Sequence, residues 1–65
     1  MIDYIRGSIA QITPTDITVD VCGIGFHALI SLQTYAVLEH CEGEVKLFLH
    51  HILREDEELF YGFAG

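Results

Sequence analysis

Apolar and polar residues alternate with a period of two along most of this chain, the spacing of strands that bury one face. The clearest case is Ile17, Val19 and Val21, with Thr18 and Asp20 between them. Before it, Met1 to Ile12 is rich in isoleucine, but its alternation changes phase: Ile2 and Tyr4 are even, Ile5 and Ile9 odd. A bulge or sharp coil at Gly7 is the predicted reconciliation. Thr13-Pro14-Thr15-Asp16 predicts a turn, since proline presets φ and the aspartate offers a local acceptor. Cys22-Gly23-Ile24-Gly25 supplies the positive φ of a tight reversal, and Phe26 to Ile30 reads as the returning strand of a hairpin.

The period then changes. Ser31 is a good N-cap, and Leu32, Tyr35 and Leu38 follow at helical spacing with Ala36 on the same side. One short helix ending near His40 is predicted, broken at Glu42-Gly43. Next, Val45, Leu47 and Leu49 alternate with Lys46, Phe48 and His50 in a strand apolar on both sides, so central or covered. A last strand, Leu59 to Phe63, is expected to pack Leu59, Tyr61 and Phe63 on one face. The order is β-β-β-α-β-β: an all-β chain with one short helix. Five strands, the first long enough to pair at both ends, are the layout of an OB-fold barrel. A small SH3-like barrel and an open sheet covered by the helix are the alternatives.

With 65 residues there is room for one domain and a limited core, so help from partner subunits is expected. Charge changes the picture further. Three basic residues, Arg6, Lys46 and Arg54, face ten acidic ones, for a net charge of −7. On charge alone such a chain is not expected to hold nucleic acid well. Cys22 and Cys41 form no CxxC and read as reduced thiols of a cytosolic protein. No apolar run reaches the roughly 18 residues that span a bilayer, and the N-terminus lacks a basic leader, so neither membrane insertion nor export is expected.

Candidate chemistry is sparse. Gly23-Ile24-Gly25 would need a following helix to cradle phosphate, and strand-forming residues follow instead. His50 and His51 are adjacent on a strand and point to opposite faces, so they do not share an ion, and His27 and the cysteines are distant in sequence. No metal or other cofactor is expected. Ser8 and Ser31 lack a local base, and no catalytic signature surrounds either cysteine, so no catalysis is expected of this chain. What remains is Arg54-Glu55-Asp56-Glu57-Glu58, four carboxylates at a strand-to-strand turn. It reads either as a solvated loop or as a charged wedge that repels phosphates when another module forces DNA against it.

Three stretches resemble a known family: Met1-Ile2-Asp3-Tyr4-Ile5-Arg6-Gly7, Val21-Cys22-Gly23-Ile24-Gly25-Phe26, and Leu53-Arg54-Glu55-Asp56-Glu57-Glu58-Leu59-Phe60-Tyr61-Gly62-Phe63. Together they look like the N-terminal domain of the RuvA family of bacterial Holliday junction branch-migration proteins. The likeness covers essentially the whole chain, and its most specific part is the RED run followed by YGF.

The resemblance implies an OB-fold domain over residues 1–63, with 64–65 beginning a linker to a helix-hairpin-helix domain outside the 65 residues. It implies a homotetramer on a four-way DNA junction, in the bacterial cytoplasm, acting in recombination and repair. The family's acidic pin falls on Glu55 and Asp56, where four copies would repel phosphates at the crossover and guide strands between duplexes. Glu57 and Glu58 extend the charge, and Arg54 is an ion-pair or phosphate partner at its base or a surface salt bridge. Attraction to DNA would come from the further domain, and an ATPase partner, RuvB, from contact with a mobile C-terminal domain. The chain itself is then a non-catalytic part of an ATP-dependent helicase complex. A generic OB-type module for single strands, or one that only assembles subunits, is the competing expectation. The aromatics are expected mostly at core-facing or interface positions, which weighs against the single-strand reading.

Overall fold

The computed structural model describes residues 3–53 and 58–64, the side chains of Leu53, Glu58 and Leu59 excepted. Five strands and one helix follow in the expected order: β1 (Tyr4–Ile12), β2 (Asp16–Val21), β3 (Ile24–Ile30), α1 (Leu32–Leu38), β4 (Glu44–Leu53) and β5 (Glu58–Ala64). The strands close into a barrel in the order β1-β2-β3-β5-β4, the OB-type arrangement rather than an open sheet. Strand β1 serves two neighbours. Its first half pairs with β4, from Tyr4 opposite Phe48 to Ser8 opposite Glu44, and its second half pairs with β2. Closure comes from a short parallel pairing of β3 with β5, Leu29 opposite Tyr61 and Ile30 opposite Gly62.

The phase change in β1 is real but lies elsewhere than Gly7. The register with β2 shifts between Ile9 and Gln11, so the extra residue is Ala10, and Ile9 and Ile12 can both pack against the core. Tyr4 simply faces outward. Gly7 faces inward and serves close approach instead of a bend. A Cβ there would strike the backbone carbonyl of Asp20 and lie 3.1 Å from Val21 Cγ2. Only hydrogen lets β1 and β2 come this near where β1 changes partner.

Local chemistry sets the connections. In the first turn, Thr13 Oγ1 accepts from the Asp16 amide at 3.0 Å and lies 3.0 Å from Asp16 Oδ1. The β2–β3 hairpin turns on two residues with positive φ, Cys22 at 53° and Gly23 at 87°, while Asp20 Oδ1 accepts from the Gly23 amide at 2.8 Å. Positive φ at both central positions matches the right-handed twist of the strands. Gly25 already lies within β3.

Ser31 caps α1 as expected, its hydroxyl accepting from the Thr34 amide at 3.1 Å. The buried side of the helix is Thr34 and Leu38, with Tyr35 packed beside them, and not the expected stripe that began at Leu32. Leu32 and Ala36 are exposed. A helix of seven residues meets the barrel through two turns only, and the hydroxyl of buried Thr34 is satisfied by Ser31 Oγ at 3.1 Å. The helix also stops at Leu38, two residues before His40.

The core is Ile5, Ile17, Val19, Ala28, Ile30, Leu38, Val45 and Leu47, with Ile17, Val19 and Leu47 fully buried. In β5 the inward positions are Phe60, Gly62 and Ala64, the opposite parity to the expected packing of Tyr61 and Phe63. Gly62 explains it. A Cβ at 62 would lie 2.7 Å from Leu47 Cδ2 and 2.9 Å from Leu47 Cγ, so the leucine occupies the space that a side chain would need.

Candidate functional site

The site indicated by charge is the link between β4 and β5. Strand β4 is the longest in the chain, ten residues, and its alternating pattern holds because one side is always inside the barrel. It pairs with β5 along a ladder from Leu47 opposite Ala64 to Leu53 opposite Glu58. Near the end of that ladder His51 stacks on Phe60, ring centroids 4.5 Å apart and planes at 10°, and Ile52 sits opposite Leu59. A stacked aromatic pair across adjacent strands stiffens the hairpin where it leads toward its link.

Arg54, Glu55, Asp56 and Glu57 lie outside the described residues. Glu58 opens β5, so its backbone is placed in the ladder. The register makes residues 54–57 the connection between two directly paired strands, which is where the sequence places the acidic run.

Other candidates resolve separately. His50 faces out and His51 in, as alternation requires, and the described residues contain no group of three His, Cys, Asp or Glu able to hold a metal ion. His27 approaches Asp16 at 3.7 Å on the barrel surface. Cys22 and Cys41 are free and exposed, one in the hairpin turn and one beyond the helix. Gly23 and Gly25 are followed by the rest of β3 and not directly by a helix.

Periodicity did not locate one surface. Tyr4, Phe48 and Phe63 stand directly opposite one another across β1, β4 and β5, and all three are on the outer face, 49%, 40% and 51% exposed. Lys46 folds over this row, its Nζ 4.3 Å from the Tyr4 ring centre and 5.0 Å from that of Phe48. Arg6 lies opposite Lys46 on the same face. The cue in the sequence is Lys46 and His50 flanking Phe48 at every second position, which marks that phase of β4 as wet.

Comparison with known proteins gives the family. A family model described as "RuvA N terminal domain" matches residues 1–62. A relative from Flavobacterium psychrophilum is 44% identical over 64 residues, covering 98% of this chain and 33% of the relative. One from Amoebophilus asiaticus is also 44% identical over the same shares, 98% and 33%. One from Lactococcus lactis is 42% identical over 66 residues, 100% of this chain and 32% of the relative. Each is named Holliday junction branch migration complex subunit RuvA. The chain spans about a third of the length of the curated relatives it matches. With its closed barrel, its strand order and a family match running from the first residue into β5, this chain belongs to the RuvA N-terminal domain family.

Proposed function

We propose that this chain is the non-catalytic, junction-handling domain of a Holliday junction branch migration complex in bacterial recombination and repair. Four copies surround the crossover, and Glu55 and Asp56 act as a pin that repels phosphates and helps separate strands. The observation that supports this most is the β4–β5 register, which makes the acidic run the direct link of the longest hairpin. The names of the relatives support the DNA substrate and the complex.

The physics is repulsion in partial dehydration. A carboxylate about 6 Å from a phosphate, at an effective dielectric of about 20, costs roughly 3 kcal/mol. Holding DNA against that cost needs attraction from elsewhere, because only three basic residues are available here. The grip comes from the rest of a longer chain, and the driving force from an ATPase partner that contacts its C-terminal part. Glu57 and Glu58 extend the repulsive charge, and Arg54 pairs with a neighbouring carboxylate or a phosphate at the base. The cytoplasm is where this chemistry takes place.

The test is Glu55→Gln with Asp56→Asn in a full-length protein carrying this domain. Branch migration should change in rate while junction binding stays intact or tightens. Migration kinetics identical to the parent would remove the pin role. The 65-residue chain by itself should bind a four-way junction negligibly at physiological salt, and submicromolar binding in a gel shift would contradict that.

A further inference from the structure

We propose that the outer face of β1, β4 and β5, centred on Tyr4, Phe48 and Phe63 with Lys46 and Arg6, docks against the acidic β2–β3 wall of a second copy of this chain. The inference rests on the four-copy reading above and says which surfaces meet.

The composition of the face is that of a docking surface. Three aromatics in one row across adjacent strands, each 40–51% exposed, form an apolar patch that water solvates poorly. The patch continues past Phe63 into a groove of about 420 Å3 lined by Ser31, Gln33, Thr34, Val37, Phe63 and Ala64. Aromatic and basic side chains at a patch centre are the groups that carry most interface energy.

Charge and symmetry choose the occupant. Arg6 and Lys46 are two of only three basic residues in a chain of net charge −7, and they share this face. A surface of the same chain is therefore a ready acidic counterpart. Four-fold assembly requires a heterologous contact, in which two different patches of each copy meet. In the barrel order, β2 and β3 form the wall away from β4, and its outer face carries Asp16, Thr18 and Asp20 beside Leu29, His27 and Gly25, with His27 3.7 Å from Asp16. Nucleic acid suits the aromatic face less well. The Tyr4 and Phe48 rings are tilted by 57° and Lys46 lies over both, so their faces are not open for successive bases to stack.

The experiment is light scattering on a full-length protein carrying this domain, over a dilution series. Phe48→Ser with Phe63→Ser should weaken association by about thirtyfold or more, the effect of losing a central aromatic anchor. Lys46→Glu should weaken it and Lys46→Arg should restore it, with the circular dichroism of every variant matching the parent's to show that the barrel still folds, since losing the assembly itself lowers the thermal midpoint. A parent protein that is monomeric would overturn the four-copy reading and this inference with it. A tetrameric parent whose variants stay equally tetrameric would overturn this inference alone. So would oligothymidylate binding that the variants lose while their assembly is unchanged.

Discussion

The two faces of β4 each carry apolar residues and have opposite fates. Val45 and Leu47 are buried and Leu49 packs against the core, whereas Lys46, Phe48 and His50 face outward and are exposed. Composition separates them except at Phe48, an apolar residue between Lys46 and His50 on the wet side. Shape completes the separation. The inner face interlocks with Gly62, where Leu47 fills the space of the missing side chain, and the outer row of rings stays 40–51% exposed with Lys46 lying over two of them. Burial in a small closed barrel is thus decided by which parity lets the wall close, and the excluded apolar residues become available for partners.

The largest effect should come from making the inside wider than closure permits. Gly7→Ala puts a methyl against the Asp20 carbonyl, a backbone atom that cannot turn aside. A loss of at least about 3 kcal/mol is expected, comparable with the whole stability of a domain this size, about 3 to 10 kcal/mol. Urea unfolding would measure it, and wild-type stability would show that β1 and β2 do not approach so closely.

Emptying the inside should cost somewhat less. Leu47 is fully buried, so Leu47→Ala is expected to lower stability by about 2 to 5 kcal/mol, depending on how far Val45 and Ile5 can collapse into the gap. On the outer face of the same strand, Phe48→Ser in the unassembled chain should cost less, about 1 to 2 kcal/mol, the loss of the ring's contacts with Tyr4 and Lys46. Equal losses for the two substitutions would erase the distinction between the faces. The smallest change lies on neither face: Cys22 holds φ at 53° in the hairpin turn, and Cys22→Asn places the preferred Asn-Gly pair there. A gain of about 0.5 kcal/mol is expected, read as a rise in thermal midpoint. A fall would mean that the cysteine makes a contact that the turn geometry does not require.

Much of this arrangement is legible in the sequence. Element order, the Ser31 cap, the Thr13–Asp16 turn and the reversal at Cys22-Gly23 all rest on chemistry within a few residues, and each stands where local preference places it. The acidic run is legible as a link between strands for the same reason, and the ladder ending at Leu53 and Glu58 is consistent with it. The misplaced expectations have a common origin. Glycine marks bends, which points to Gly7 for the bulge, yet the register slips at Ala10 and Gly7 answers to β2 across the wall. The inner parity of β5 and the buried side of α1 likewise depend on residues distant in sequence.

Alternation along a strand reveals two faces from the sequence alone, because side chains leave a pleated backbone on alternate sides whatever surrounds it. Turns, caps and the sign of the charge are determined in the same local way. Which face of β5 becomes the interior is not local: it was settled only when β5 met β3 and β4, leaving room for Leu47 but not for a side chain at 62. The barrel's closure therefore chose the core, and by the same act left Tyr4, Phe48 and Phe63 on the surface.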